Sequence, residues 1–349
     1  MKGDFVFAVP GSLDTPTGGY AYDKRMIAEL RELGWRPQVL DLGDGFPRPS
    51  ALTRAVANAH LRDVPKGRPI VIDGLAFGVL PEAGETLSVT HPLIALVHHP
   101  LALETGLTPE EAAALRDSER RALSFTHAVV ANSPATVRAL IDGYGVPPER
   151  ITVAPPGTDR VPQIERHHAG PVALLAVGSI VPRKGYDLLV EALAGLRDLP
   201  WHLTIVGEAR DSAAAAQLRA SIERHELVPR ISLLGSVSQS RLSELYAAAD
   251  LFVLPSRYEG FGMAYAEAIA HGLPVIGTTA GAIPDTVPPE AGVLIPPDDV
   301  PALTAALRHL IESPKERAQL AVGARIAAES LPTWAESAKL FSDAIERVI

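Results

Sequence analysis

The strongest constraint on the fold of this chain is a repeated alternation of short apolar segments with helical segments. In the first half, the segments 5–9, 93–97 and 128–131 are apolar and have the length of strands. The same alternation restarts at 172–177 and continues through the second half. Because parallel strands need long crossover connections, this pattern predicts parallel sheets wrapped by helices.

Helix-start signals support this interpretation at two places in the first half. Thr108-Pro109-Glu110-Glu111 combines a capping residue, a proline at the first helical position and a glutamate three residues after the cap. Ser133-Pro134 begins another helix in the same way. Each signal follows a predicted strand, as a strand–helix repeat requires.

The segment 153–170 interrupts the alternation and predicts a linker. It is rich in turn residues and shows no apolar periodicity. We therefore predict one domain over 1–160 and a second over 161–330, followed by an amphipathic helix within 331–349. Two doubly wound halves joined in this way are expected to hold a ligand at the carboxyl ends of their strands.

Composition excludes several classes of function. The 349 residues are 47% hydrophobic and 21% charged, which is typical of a globular protein. The formal net charge of −9 argues against sequence-independent binding to nucleic acid. The chain contains no cysteine, which excludes disulfides, thiolate catalysis and cysteine-ligated zinc.

The N-terminal segment does not have the pattern of a signal peptide. Asp4 interrupts what would be its apolar core, and the uncharged run between Pro171 and Pro182 is far too short to span a bilayer. We expect a cytoplasmic protein, and peripheral contact with the inner membrane face is left open.

The most informative stretch for function is 251–277, where two carboxylates flank a glycine-rich turn. Glu259 follows an apolar strand, and Glu267 lies on the short helix that comes next. Gly260 and Gly262 allow the backbone to approach a ligand closely, and the unpaired N–H groups at the helix start favour a diphosphate or a sugar oxygen. Carboxylates at both ends of the turn suit sugar and ribose hydroxyls.

The sequence E-G-F-G-M-A-Y-A-E-A resembles the Glu-x7-Glu motif of retaining glycosyltransferases with the GT-B fold, particularly glycosyltransferase family 4. The resemblance implies two Rossmann-like domains that face a central cleft, with the last helix crossing back to the N-terminal domain. It also implies that Glu259 binds the sugar hydroxyls and Glu267 the ribose. The implied donor contacts within the turn come from Gly260, Phe261, Gly262, Met263 and Ala264.

A second segment, V-G-S-I-V-P-R-K-G, resembles the family's G-R-x-x-x-x-K-G loop, with Lys184 at the position of the family lysine. Ser179 stands where the family has an arginine, and Arg183 lies beside the lysine instead. The resemblance implies that Lys184 and Arg183 neutralise a diphosphate leaving group. In isolation, two solvated loop cations would explain the same residues.

Two further donor contacts are implied by resemblance and have structural alternatives. Val237 lies in a segment similar to the one whose backbone meets the nucleotide base, and it could equally be a packing residue. Gly18-Gly19 matches the glycine pair that approaches the diphosphate, or it is a flexible loop before a helix. The chain has neither a G-x-G-x-x-G fingerprint nor a P-loop motif, which argues against a nicotinamide dehydrogenase and a P-loop NTPase.

His98 follows the strand 93–97 directly and corresponds to the family histidine near the transferred sugar. We expect it to orient the sugar and to titrate in the physiological range, with His99 as the alternative position. Asp14 and Glu104 are weaker candidates for contacts to the acceptor, together with His99.

The resemblance predicts a hexosyltransferase that uses a nucleotide sugar, preferably UDP-linked, and retains the anomeric configuration. The predicted partners are this donor and a small-molecule, glycan or lipid-linked acceptor. No metal and no cofactor are expected, because cationic side chains and helix dipoles would replace the metal. The alternatives are a sugar-nucleotide epimerase or phosphorylase on the same fold, and a non-catalytic sugar-nucleotide-binding protein.

Overall fold

The structure, a computed structural model, describes residues 2–162 and 170–349. The chain divides into two compact units, of which the first comprises Met1–Gly157 with Pro332–Ile349 and the second comprises Thr158–Leu331. The sequence placed this division after residue 160. Residues 163–169 of the predicted linker lie outside the described residues, and its first residue belongs to a strand, Ile151–Val153.

The first unit contains a six-stranded sheet in which every pairing is parallel. Its order is β2-β1-β3-β4-β5-β6, so the chain changes its direction of progression between β1 and β3. The central strands are buried on both faces, as expected for a parallel sheet covered by helices. The strands are β1 (Asp4–Val9), β2 (Arg36–Asp41), β3 (Ile70–Asp73), β4 (Leu93–Val97), β5 (Ala128–Ala131) and β6 (Ile151–Val153).

The helices of the first unit connect these strands, apart from the C-terminal helix, which returns from the end of the chain. Thr108 and Glu111 form the predicted capping box at the start of the fifth helix. The helices are α1 (Gly18–Glu32), α2 (Ala51–Arg62), α3 (Gly74–Phe77), α4 (Pro81–Leu87), α5 (Pro109–Ser124), α6 (Pro134–Tyr144) and the C-terminal α14 (Trp334–Glu346).

Helix α14 is held in the first unit by aromatic packing. The ring of Phe341 stacks on Phe7 of β1 with 6.2 Å between centroids, and the ring of Trp334 lies 5.9 Å from Tyr22 of α1. All four side chains are buried. Burying large aromatic side chains contributes about 2 kcal/mol each, so this contact is a substantial part of the core.

The second unit contains another six-stranded sheet of parallel strands. Its order is β12-β11-β10-β7-β8-β9, and the change in direction falls between β7 and β10. The strands are β7 (Val172–Val177), β8 (Trp201–Val206), β9 (Ile231–Leu233), β10 (Leu251–Val253), β11 (Val275–Thr278) and β12 (Gly292–Ile295).

The helices of the second unit cover its sheet and enclose one continuous apolar core. Among the helices of both described ranges, none combines the length and the apolar composition that crossing a lipid bilayer requires. The helices are α7 (Tyr186–Ala194), α8 (Ser212–Arg224), α9 (Gln239–Ala248), α10 (Met263–Ala270), α11 (Ile283–Thr286), α12 (Val300–Glu312) and α13 (Pro314–Glu329).

The prediction of an α/β fold with two parallel sheets is confirmed, whereas some helices and strands were not predicted from the sequence. Helix α2 has a weak apolar stripe because it buries only Ala57 and Leu61 and exposes Leu52 and Val56. Periodicity therefore gave no signal there. Strand β6 is short and only half-buried, and no strand is predicted there from the sequence; its last residue, Val153, falls at the start of the predicted linker.

Two helical glycines test the packing of these units. Alanine normally stabilises a helix relative to glycine by about 0.5–1 kcal/mol. At Gly323 of α13, however, a Cβ would lie 1.8 Å from the carbonyl oxygen of Glu290, whereas at Gly143 of α6 it would meet no atom within 4 Å. We expect Gly323→Ala to destabilise the protein by about 2 kcal/mol and Gly143→Ala to stabilise it.

Urea unfolding monitored by circular dichroism measures both changes. Equal midpoints for the two variants would contradict the packing described for α13.

Candidate functional site

The candidate site of the second unit lies where the strand order changes direction, between β7 and β10. Leu174 and Leu175 of β7 pair with Leu251 and Phe252 of β10, so the loops after both strands begin side by side. In open parallel sheets, ligands bind outside the carboxyl ends of strands at such a point. The predicted cationic loop follows β7, and the predicted Glu259 loop follows β10.

The Glu259 carboxylate is the centre of this site. Its side chain is buried, and its Oε1 accepts hydrogen bonds from Lys184 Nζ at 2.6 Å and from Ser256 Oγ at 2.7 Å. Its Oε2 accepts a hydrogen bond from Arg183 Nη1 at 3.2 Å. Burial opposes ionisation of Glu259, but the charges of Lys184 and Arg183 outweigh it and lower the pKa to about 2. The carboxylate is therefore ionised and fully compensated.

The structure brings together Glu259, Lys184 and Arg183 but pairs them differently from the expectation. The sequence assigned the carboxylate to sugar hydroxyls and the two cations to a diphosphate. In the structure they bind one another. Arg183 joins the same cluster as Lys184, so it places a second cation at this site although Ser179 stands at the position of the family arginine.

Gly185 allows the two loops to come this close. Its φ is +68°, and a Cβ at this position would lie 2.1 Å from the carbonyl oxygen of Pro255 in the loop after β10. A larger residue would therefore push the loops apart. The glycine that follows Lys184 has a packing role that the sequence did not indicate.

Arg257 holds the cationic loop, which carries Arg183 and Lys184, through backbone and side-chain hydrogen bonds. Its backbone N–H donates to the carbonyl of Arg183 at 2.8 Å, and its guanidinium donates to both carboxylate oxygens of Asp187, at 3.0 and 2.7 Å. Its Nε also donates to Asp298 at 2.7 Å. These bonds connect the start of α7 to the Glu259 loop and hold the backbone that carries Arg183.

Glu267 lies on α10, beyond the glycine-rich turn. Its Oε2 accepts a hydrogen bond from the hydroxyl of Tyr246 at 2.9 Å, and burial raises its pKa. Helix α10 begins after Gly262, which adopts a left-handed conformation and provides no side-chain cap. The N–H of Tyr265 donates to the Gly262 carbonyl at 2.9 Å, and no side chain caps the N–H groups of Met263 and Ala264 before it.

The other predicted donor residues of this unit lie around the same edge of the sheet. Ser179 follows β7 and is half-buried, and Gly260, Phe261, Met263 and Ala264 belong to the turn and the first turn of α10.

Val237 is half-buried after β9 and packs against the apolar core. Its packing contact is therefore observed, whereas its predicted contact with a base stays a prediction.

In the first unit, His98 lies in a cluster with two aspartates. Its Nε2 is 3.1 Å from Asp23 Oδ1 on α1 and 3.6 Å from Asp73 Oδ2 at the end of β3. Burial disfavours the charged ring, but the two carboxylates outweigh this effect and raise the pKa of His98 to about 10. The expectation that His98 titrates in the physiological range is corrected by this environment.

These three side chains each offer an atom of a type found in metal sites, and the atoms lie within 4.8 Å of one another. Both carboxylates face the same ring nitrogen of His98, and the 3.1 Å separation between Nε2 and Asp23 Oδ1 has the length of a hydrogen bond. We therefore describe the group as a hydrogen-bonded cluster.

Gly18 and Gly19 form the first turn of α1, beside this cluster. Thr17 caps the helix by accepting the N–H of Tyr20, and it leaves the N–H groups of both glycines outside the cap. A Cβ on Gly19 would lie 3.4 Å from Cδ2 of His98. The glycine pair and His98 are thus neighbours, as their predicted roles require.

The weaker acceptor candidates are surface residues of the first unit. Asp14 is exposed and forms an ion pair with Lys24 at 2.7 Å, and this contact lowers its pKa. His99 Nε2 lies 3.5 Å from Glu104 Oε2. These contacts give no reason to assign a ligand, and the acceptor role of the three residues stays a prediction.

Sequence reasoning missed the residues that surround the predicted ones. Asp23 lies on the buried face of α1 with Tyr22 and Met26, so an acid within an apolar stripe was the available signal. Asp73 ends an apolar strand directly, a position typical of functional residues in parallel sheets. Arg257 had no sequence signal, because its partners are remote along the chain.

Comparison with known proteins now adds to this geometry. The family described as "Glycosyl transferases group 1" matches residues 158–326, and "Glycosyltransferase Family 4" matches residues 85–161. The two matches adjoin and include His98, both cations and both glutamates. The chain belongs to the family 4 type of glycosyltransferases with the GT-B fold.

Curated relatives of this family 4 protein are glycosyltransferases. It is 30% identical over 279 residues to MMP alpha-(1->4)-mannosyltransferase of Mycolicibacterium hassiacum, covering 74% of this chain and 66% of the relative. It is 32% identical over 257 residues to D-inositol 3-phosphate glycosyltransferase of Kineococcus radiotolerans, covering 65% and 58%. The chain thus spans about two thirds or less of the length of these relatives.

Solved structures agree with the GT-B fold of this family 4 protein. Sucrose-phosphate synthase from Thermosynechococcus elongatus superposes with a TM-score of 0.84 at 20% identity, covering 100% of this chain and 99% of that one. HepE of Anabaena, solved with UDP and glucose, gives a TM-score of 0.75 at 20% identity, with coverages of 98% and 99%. At such identity the likeness shows the fold alone.

Replacing Glu259 by glutamine tests the charge compensation at this site. The substitution leaves Lys184 and Arg183 without their counter-charge, and their side chains are only 13% and 18% exposed. We expect a loss of about 3 kcal/mol in the free energy of unfolding. The double variant Glu259→Gln/Lys184→Met should lose less than the sum of the single changes, because it removes one buried charge with its partner.

The same variant has a pH signature. Because the pKa of Glu259 is lowered from 4.5 to about 2 in the folded state, the stability from its ionisation is fully present above pH 4.5. It is lost as the pH falls through 2. The stability difference between wild type and Glu259→Gln, measured by urea unfolding, should shrink over this window, and a constant difference would contradict the ion pairing.

Proposed function

We propose that this protein is a retaining hexosyltransferase that moves a sugar from a nucleotide-diphosphate sugar, preferably UDP-linked, to an acceptor hydroxyl. The observation that supports this most directly is the cluster of Lys184, Arg183 and Glu259 at the strand switch point of the second unit. Beside it, the uncapped start of α10 offers N–H groups to an anion. Two cations and a helix start suit a diphosphate, and a carboxylate suits the hydroxyl groups of the attached sugar.

In this proposal, donor binding exchanges the partners within the cluster. A diphosphate carries more negative charge than one carboxylate, so it competes with Glu259 for Lys184 and Arg183. Glu259 is then released from the cations and accepts hydrogen bonds from the sugar hydroxyls. In the free protein, the ion pair with Glu259 would thus hold both cations at the positions where they bind the phosphate.

The chemical step follows from the same groups. The bond between the anomeric carbon and the phosphate oxygen breaks, and the acceptor oxygen bonds to that carbon on the same face. The acceptor's proton passes to an oxygen of the leaving diphosphate. Lys184 and Arg183 stabilise the negative charge that develops there, and their fixed positions avoid reorganisation during the reaction.

The remaining predicted contacts complete the proposal. Glu267 binds the ribose, backbone groups near Val237 meet the base, and Gly18-Gly19 and His98 act on the phosphates and the sugar. Support for UDP comes from HepE of Anabaena, whose structures contain UDP and UDP-glucose. A relative from Corynebacterium glutamicum is named as GDP-mannose-dependent, so the base must be tested directly.

The test is incubation of the protein with UDP-, GDP- and ADP-sugars and an acceptor panel that includes D-inositol 3-phosphate, named for one relative. Release of the nucleotide diphosphate and the anomeric configuration of the product are followed by NMR. We expect UDP release with an α-linked product from an α-linked donor. A changed sugar still attached to UDP would indicate epimerisation, and binding without turnover would indicate a non-catalytic protein.

Removal of one cation should affect transfer more than folding. We expect Lys184→Ala to lower kcat/KM for the donor by about 100-fold, because the charge on the leaving diphosphate loses a fixed donor. Arg219→Ala, which removes an exposed cation of α8, is the matched control and should leave kcat/KM unchanged. Equal activities of the two variants, with folding verified by circular dichroism, would exclude Lys184 from the reaction.

A further inference from the structure

The cluster around His98 in the first unit contains more negative charge than its surroundings can accommodate. Asp23 is fully buried on α1, Asp73 is 3% exposed at the end of β3, and His98 follows the neighbouring strand β4. Two carboxylates and one imidazolium carry a net charge of −1. Isolated negative charge in a buried site is costly, so one further positive charge is needed.

The hydrogen bonds indicate where that charge lies. Asp73 Oδ1 accepts the N–H of Leu75 at 2.6 Å as the cap of α3, and its Oδ2 faces His98 Nε2. Asp23 Oδ1 also faces Nε2, but its Oδ2 is buried and meets no donor among the described residues. Asp73 thus accepts a backbone N–H on one oxygen and has the His98 ring near the other, whereas Asp23 has a buried oxygen that meets no donor among the described residues.

One oxygen of each carboxyl group and a ring nitrogen of His98 lie within 4.8 Å of one another, so the two buried carboxyl groups are close neighbours. Two ionised carboxylates repel at such a distance, whereas a carboxylic acid can donate a hydrogen bond to a carboxylate. One proton between Asp23 and Asp73 therefore supplies the missing charge and the missing donor together.

We propose that Asp23 and Asp73 share one proton and act as positioning residues that hold His98 as a permanently charged imidazolium. The proton lies on the Asp23 side, because Asp23 Oδ2 is buried without a donor among the described residues, whereas Asp73 accepts the N–H of Leu75. The functional consequence rests on the proposed sugar transfer: His98 acts there as a cationic hydrogen-bond donor and never as a general base.

The environment of the cluster supports this assignment. Burial first, and then the charge of Asp73, raise the pKa of Asp23 to about 7, whereas the pKa of Asp73 is lowered. Tyr22 lies edge-on to His98 at 5.2 Å, and its own pKa is raised well above 10 by burial and by Asp23, so it stays neutral.

Within the ranges 2–162 and 170–349, Asp23 and Asp73 are the charged groups found to act on the ring. Thr136 of α6 donates to the carbonyl of His98 at 3.4 Å, Gly19 lies beside the ring on α1, and α14 contributes Trp334 behind Tyr22. Among the described residues around His98, the two aspartates are therefore the groups that set its charge.

The test is an NMR pH titration of the full chain labelled at histidine Cε1, with the His98 signal assigned by its loss in His98→Gln. In wild type, the His98 signal should keep the shift of a charged imidazolium from about pH 5.5 to about pH 8.5, whereas the histidine side chain of a model peptide loses its charge near about pH 6.5. Asp23→Asn and Asp73→Asn should each leave His98 charged over this range, because one carboxylate remains. Only Asp23→Asn/Asp73→Asn should release it to titrate near 6.5.

Several outcomes would overturn the proposal. A wild-type His98 signal that changes from the imidazolium shift to the neutral shift below about pH 8.5 would overturn it, even if the double variant fails to fold. Release of His98 by either single substitution would mean that both carboxylates are ionised and act separately. Selective broadening of the His98 signal by micromolar Mn²⁺ would assign the cluster to a metal instead. Because the titration needs no substrate, a protein without transferase activity but with a constant His98 shift would contradict only the proposed function.

Discussion

The Glu259 carboxylate is held away from water between Lys184 and Arg183, and the arrangement of the loops around it follows from the need to compensate its charge. Gly185 brings the loops close enough for these contacts. Arg257 then ties the cationic loop to the Glu259 loop through Asp187 and the Arg183 carbonyl. A buried ion pair is weak evidence for stability, since desolvation opposes the attraction. In the proposed function, this pair has a role beyond stability, because a donor diphosphate exchanges with one of its members.

The parallel sheets provide the geometry on which these clusters depend. In each sheet the strand order changes direction once, between β1 and β3 in the first unit and between β7 and β10 in the second. Loops from neighbouring strands start together at these points, so residues remote along the chain come into contact. Asp73 and Glu259 both occupy such loops or strand ends. In each unit, a buried acid at this position is compensated by side chains from adjacent elements.

Much of this could be predicted from the sequence, because the strand signals are strong. The segments 93–97, 128–131 and 172–177 are apolar throughout and coincide with β4, β5 and β7. The candidate residues of the turn could be named from the sequence because Glu259 and Glu267 belong to one local motif. The surrounding residues were harder to predict from the sequence. Arg257 contacts Asp298, and Asp23 lies beside Asp73 and His98, through tertiary packing that leaves no local sequence pattern. The electrostatic environment of His98 could not be predicted from the sequence either, since its titration depends on acids from two other elements.

A crystal structure of the protein with UDP tests the central claim most directly, because it records which group the two cations bind. The account predicts that Lys184 Nζ and Arg183 contact oxygens of the β-phosphate and that the 2.6 Å contact between Lys184 and Glu259 is broken. It also predicts that the start of α10 faces the same phosphate. UDP bound elsewhere, with the Lys184–Glu259 contact intact, would contradict the account.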